Sequence, residues 1–183
     1  MGTLGLALLV GTPGPMVTSK YLYKSLDYDP DKAFAPIGLL ASSPMRVVGS
    51  PKLPGSNLAE ALEYARRNPG RVAAESVATR SQAHIALAQL NNLAGTSITH
   101  IPYRDANRAL PDFMSGDVQL GINYIPTFVP NVQSGMLKGL AVTSRERVKE
   151  FPLVPTVAEE PVLNFVCEAY HDHRSMYAEQ GTK

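Results

Sequence analysis

Residues 72–101 read VAAESVATRSQAHIALAQLNNLAGTSITHI. Val72–Val77 has the make-up of a short strand. Ser81 can N-cap a helix over 82–94, whose Ala83, Ala86, Leu87, Leu90 and Leu93 share one apolar face. Gly95 supplies the C-terminal stop, and Ile98–Ile101 reads as the next strand. The stretch is therefore a strand–loop–helix–strand unit.

The alternation continues on both sides. Upstream, Met45–Gly49 (MRVVG) is a β-branched run and reads as a strand. Asn57 followed by Glu60 forms a box-like start for a helix over 58–68, with Leu58, Ala61, Leu62 and Ala65 inward and Asn68-Pro69-Gly70 as its stop. Downstream, a helix is predicted over Ala106–Met114, with Pro111 delaying its first regular turn. Val118–Ile122 is a strand, Thr127–Ser134 a helix and Leu137–Val142 a strand. Strand and helix thus alternate from 45 to 142, which predicts an α/β fold with a largely parallel sheet. Before this block, Leu6–Val10 reads as a buried strand entering Gly11-Thr12-Pro13-Gly14, residues 20–35 as a short helix and a proline-bounded segment, and Ile37–Ala41 as another strand.

Composition narrows the classes. Seventeen Lys+Arg against sixteen Asp+Glu leave a net charge of +1 over 183 residues, so no basic excess points to nucleic acid. Hydrophobic residues are 44%, enough for a core. No apolar run reaches the roughly 18 residues of a membrane-spanning helix. Met1–Val10 lacks the basic start and small-residue cleavage site of a signal peptide. The lone Cys167 can make neither an intrachain disulfide nor a multi-cysteine metal site.

In sheets of this kind ligands lie outside the carboxyl ends of strands, against helix N-termini. Three places qualify. Gly11-Thr12-Pro13-Gly14-Pro15 offers backbone N–H groups after a strand, or is an ordinary turn. Ser76-Val77-Ala78-Thr79-Arg80-Ser81-Gln82 brings hydroxyls, an arginine and a helix start, which suit a carboxylate; a capped, solvated loop reads the same way. The third comprises the strand ends around Tyr103-Arg104-Asp105 and Asn123-Tyr124. Catalysis finds little support. Ser81 and His84 share a helix face, but no G-x-S-x-G elbow is present. His171-Asp172-His173 offers too few ligands for a metal site. Neither metal nor cofactor is expected.

Several segments together resemble one family. They are Leu8–Thr12, Tyr28–Pro36, Asn68–Val72, Ser81–His84, His100–Arg104, Ser115–Leu120, Gly135–Ser144 and Val154–Glu159. In this order and spacing the chain resembles the substrate-binding proteins of tripartite tricarboxylate transporters, the Bug family, over roughly 4–160. The resemblance implies a type II periplasmic-binding-protein-like α/β fold: a complete second lobe at 45–142, and a partial first lobe from 1–44 and 143–183. Crossover strands near 41–46 and 139–144 would form a hinge. The family's export signal, first strand and ligand loop would precede Met1 and are absent from this sequence, so the resemblance implies a solute-binding protein or a truncated form of one. A periplasmic location, no enzymatic activity, a membrane permease as partner and a small carboxylate as solute follow from the same resemblance. The residues expected to bind are Thr12, Gly14, Ser76, Thr79, Arg80, Ser81 and Asn123. Where the family has small residues, this chain has Ala78, Arg80 and Asp105, and Asp105 sets a negative charge near the anion site. Two alternatives stand beside this reading. One is a binding-incompetent remnant serving as an interaction module, with a possible homodimer through Leu4–Val10. The other is a small α/β hydrolase or transferase.

Overall fold

In the computed structural model, which describes residues 8–11, 14–38, 43–79, 81–159 and 175–179, Ser81 and Gly95 bracket a helix as their chemistry requires. The Ser81 hydroxyl accepts from the His84 N–H at 3.2 Å, and Gly95 takes the left-handed conformation that ends the helix. The described residues fall into two units, those up to 43 with 175–179, and those from 44 to 159.

The first unit holds a three-stranded antiparallel sheet in the order Leu8–Gly11, Ser175–Glu179, Phe34–Gly38. A π-type turn at Gly14–Thr18 and two single-turn helices, Ser19–Leu22 and Pro30–Ala33, complete it. Of the strand expected at Ile37–Ala41, Ile37 and Gly38 end the strand Phe34–Gly38, and 39–41 lie outside the described residues. Asp29 caps the second short helix by accepting from the Asp31 N–H.

The larger unit carries the alternation. Its elements are β1 (Met45–Gly49), α1 (Leu58–Arg67), β2 (Ala73–Val77), α2 (Gln82–Ala94), β3 (Thr99–Tyr103), α3 (Leu110–Ser115), β4 (Leu120–Tyr124), α4 (Val129–Gln133) and β5 (Lys138–Val142). The sheet order is β3-β2-β4-β1-β5. β2 pairs in parallel with β3 and β4, while β1 runs antiparallel to both β4 and β5. Four strands therefore point one way and β1 opposes them, so the sheet is mixed. The sheet is thus largely parallel, as expected, with β1 as its one antiparallel strand among the described residues.

Side chains alternate across the sheet and define two apolar layers. Met45, Val47, Ala74, Leu120 and Ile122 meet α1 and α2 through Leu58, Ala61, Leu62, Leu87 and Leu90, all buried. On the other face Val48, Val77, Ile101 and Tyr103 pack against Phe113, Val118 and Phe128. A third patch joins Ile125, Val142, Phe151 and Val154. The chain beyond β5 stays with this unit: the Thr143 N–H donates to the Met45 carbonyl at 2.9 Å, and Val142 bridges Thr156.

Local chemistry explains the helix starts. Asn57 accepts from the Glu60 N–H at 2.9 Å, and the Glu60 carboxylate accepts from the Ser56 N–H at 2.7 Å, a capping box displaced by one residue. Before Pro111 the chain makes a 3-10 turn, Ala106–Ala109, and only then the regular α3. One face assignment needs correction. Leu93 is 48% exposed and Ala94 is buried in its place, because the stripe steps by four from Leu90.

Candidate functional site

β2, β3 and β4 all end at one edge of the larger sheet, beside the start of β1, since Met45 pairs with Tyr124. The loops that leave this edge are 78–81, 104–106 and the turn at Ile125–Phe128.

The loop after β2 is strained. Ala78 has φ +62°, a left-handed conformation that a residue with a Cβ rarely adopts, and its N–H donates to the Tyr103 carbonyl at 2.9 Å. The turn aims the chain into α2. Ser81 satisfies the His84 N–H, which leaves the N–H groups of Gln82 and Ala83 without an intrahelical acceptor. Thr79 is exposed and Ser81 half-buried at this helix start. The arrangement presents two backbone donors, hydroxyls and the positive end of a helix of 13 residues, all suited to an anion.

Ser76 has a different environment. It is fully buried, and its hydroxyl lies 2.7 Å from His100 Nε2. The His100 ring stacks on His84 at 3.8 Å between centroids. Ser76 therefore ties β2 to β3 and, through the stack, to α2. Burial holds the His100 pKa below the ordinary histidine value, and the neighbouring His84 adds to the effect.

Asn123 is buried too, and donates from Nδ2 to both carboxyl oxygens of Glu75, at 2.9 and 3.1 Å. Glu75 is fully buried. Desolvation pushes its pKa up to about 8, against the opposing pull of the Asn123 bond, so the group is mostly neutral at pH 7. Tyr103 donates its hydroxyl to Asp112. Asp105 accepts from the Asn107 N–H at 3.0 Å and caps the 3-10 turn, which gives this charge a structural partner.

The structure thus gathers Ser76, Thr79, Ser81 and Asn123 at one strand-end edge. Thr79 and Ser81 are accessible there, and Ser76 and Asn123 lie beneath. Gly14 opens the Gly14–Thr18 turn of the other unit, where its carbonyl accepts from the Thr18 hydroxyl at 3.3 Å. Thr12 and Arg80 lie outside the described residues, as do Cys167 and His171-Asp172-His173. Among the described residues no group of three or more His, Cys, Asp or Glu side chains converges as a metal site. A surface groove of about 570 Å³ borders α1, but its Glu60 and Glu63 disfavour an anion.

Sequence reasoning missed two buried ionisable residues, Glu75 and Arg46. Each announces itself as a single charge inside an apolar strand run, AAESV and MRVVG. Arg46 is 1% exposed on β1, and its Nη2 donates to the Ile125 carbonyl at 2.6 Å. Its guanidinium lies over the Phe151 ring, 4.1 Å from the centroid.

Comparison with known proteins identifies the family. Residues 5–183 match the Tripartite tricarboxylate transporter family receptor, TctC, and the chain belongs to that family. The match runs past 160, so the tail shares in a likeness that the sequence reading ended there. The protein BugT of Bordetella pertussis is 30% identical over 163 residues, which are 89% of this chain and 50% of BugT. A UPF0065 protein from the tcbD-tcbE intergenic region of Pseudomonas sp. strain P51 is 30% identical over 155 residues, 85% of this chain and 46% of that one. This chain spans about half the length of the curated relatives it matches. Among solved structures, an R. palustris protein with adipate superposes with a TM-score of 0.82 at 28% identity, covering 96% of this chain and 58% of that one. MatC from Rhodopseudomonas palustris with bound malate gives 0.78 at 26%, covering 96% and 59%. The periplasmic binding protein BugD gives 0.75 at 27%, covering 97% and 57%. The fold is that of periplasmic solute-binding proteins.

Proposed function

We propose that this chain takes part in capturing a small carboxylate in the periplasm for delivery to a membrane permease, without chemical change to the solute. The observation that carries the reading is the Ser81-capped start of α2, set beside the ends of three parallel strands. Fixed N–H and hydroxyl donors there recognise a carboxylate without a dedicated counter-charge. Membership of the TctC family and the adipate and malate in two neighbours support the same ligand class.

In this mechanism the N–H groups of Gln82 and Ala83, with the hydroxyls of Thr79 and Ser81, hold one carboxylate. Ser76 and Asn123 act beneath them by fixing the ends of β2 and β4. Arg80 adds a charged donor to the loop. The lobe at 45–142 is the part of the chain that recognises the anion.

Thermal melting tests this. A saturating carboxylate at about 100 times its Kd should stabilise the protein by about 2.7 kcal/mol, and the corresponding neutral amide should not. Ser81→Ala should remove about 1 kcal/mol of stability with the lost cap and weaken carboxylate binding about tenfold. Equal shifts with acid and amide, or undiminished binding by Ser81→Ala, would remove the α2 start from the site.

A further inference from the structure

Two histidines lie in contact beneath the start of α2. His84 stands in the first turn of that helix and His100 on β3, and their rings stack with centroids 3.8 Å apart and planes 14° apart. Both are half-buried. His100 Nε2 lies 2.7 Å from the hydroxyl of Ser76, two residues before Ala78 turns the chain toward α2. Side chains on a helix lean toward its N-terminus, so the His84 ring lies about 5 Å along the axis, one helical turn, from the N–H groups of Gln82 and Ala83. Carboxylate capture as described above makes no use of either ring.

The charged groups around the pair are few. α2 carries no other ionisable side chain. Tyr103 of β3 and Glu75 of β2 face the opposite layer, against Phe113. On the α2 side the sheet and α1 contribute the phenols of Tyr124 and Tyr64. The Glu60 carboxylate is held by Ser56, Glu63 pairs with Arg66 and Arg67, and Arg66 reaches the Ala94 carbonyl at the far end of α2. Beyond β3, Arg104 is exposed and Asp105 caps the 3-10 turn; Arg80 belongs to the loop before α2.

Contact between the rings makes a second proton on the pair costly, so one ring takes it. Burial first, and then the charge of His84, hold the His100 pKa below the ordinary histidine value. His84 is therefore the ring that takes a proton, and the neutral His100 offers it a π face. Without solute, the positive end of α2 opposes a cation in its first turn. A carboxylate at the same helix start replaces that opposition by attraction.

We propose that the stacked pair makes solute capture proton-linked: His84 takes up a proton as the carboxylate settles on the start of α2, so the chain holds its solute more tightly on the acid side of neutrality. The proposal rests on the carboxylate reading given above and adds regulation to that site. An imidazole titrates near pH 6.5, so the gain is present below that range and is lost as pH rises through it.

The test titrates the wild-type chain, His84→Gln and His84→Lys with adipate in a calorimeter at pH 6 and pH 8, each in two buffers of different ionisation heat. The wild type should bind about three- to tenfold more tightly at pH 6, and the buffer dependence should show a fraction of a proton taken up per solute bound. His84→Gln should lose both the affinity difference and the uptake. His84→Lys, charged at both pH values, should bind with little pH dependence, and it keeps the proposal testable should the glutamine variant fail to fold. Protons exchanged by adipate itself are common to all three proteins and cancel in the comparison. The same pH dependence and proton uptake in wild type and variants would overturn the role of His84 and leave the carboxylate reading standing. A wild type that binds adipate at neither pH would overturn that reading, and this one with it.

Discussion

Replacing Phe113 by alanine will cost the larger unit about 3–5 kcal/mol. The ring is fully buried and meets Phe128 edge-to-face, with centroids 5.8 Å apart and planes at 87°. It also fills the space above Gly121: a Cβ built on that glycine would stand 2.7 Å from Phe113 Cζ and 3.0 Å from a Val48 methyl. The backbone of β4 and the ring are thus mutually fitted, and truncation leaves a cavity that a sheet strand cannot move to fill. The Phe113 carbonyl accepts from the buried Ser50 hydroxyl at 2.6 Å, which fixes the helix turn and limits relaxation further. Urea unfolding should show the loss as a lower midpoint at an unchanged slope. A loss under about 1 kcal/mol would mean that this layer is not packed as described.

Raising the pH from 6 to 9 will destabilise the wild type relative to Glu75→Gln by about 3 kcal/mol. The folded-state pKa of Glu75 is raised from 4.5 to about 8, chiefly by desolvation. A raised acid favours folding fully below its unfolded value and loses that contribution as pH climbs through the folded value. The window is therefore about 4.5 to 8. Glutamine keeps an acceptor for Asn123 without a charge, so its stability should lack this slope. His100 works in the opposite sense: its lowered pKa makes folding less favourable as pH falls below the ordinary histidine range. Both proteins retain His100, so the difference between them cancels it. Chemical unfolding at several pH values gives that difference directly. Curves that stay parallel from pH 6 to 9 would mean that Glu75 is charged and solvated in the fold.

These two expectations rest on features that the sequence revealed unequally. The helices at 58–67 and 82–94 were legible because their caps are local: Asn57, Ser81 and Gly95 act within a few residues of themselves. The delay before α3 was legible from Pro111 for the same reason. The direction of β1 was not, because antiparallel insertion between β4 and β5 is decided by residues 71 to 96 positions away. The β4 strand begins at Leu120, not at the expected Val118, because the Val118 N–H is spent on the Asp112 carbonyl in closing α3.

The site divides in the same way. The start of α2 was visible in Ser76–Gln82, since hydroxyls before a helical repeat carry their own geometry. That Ser76 turns inward to His100 was not visible, because strand alternation places it on the buried face only once β3 is alongside. Arg46 and Glu75 could be seen as lone charges in apolar runs. Their burial and their partners depend on contacts 79 and 48 residues distant.

The central claim, that this chain recognises a carboxylate at the strand-end edge of its larger unit, is tested most directly by titrating the wild-type protein with adipate in a calorimeter, with adipamide as the uncharged control. The account predicts a saturable heat with one site for adipate that weakens in Ser81→Ala, and no saturable heat for adipamide. No saturable heat with adipate, succinate or butyrate, or the same affinity for acid and amide, would contradict it.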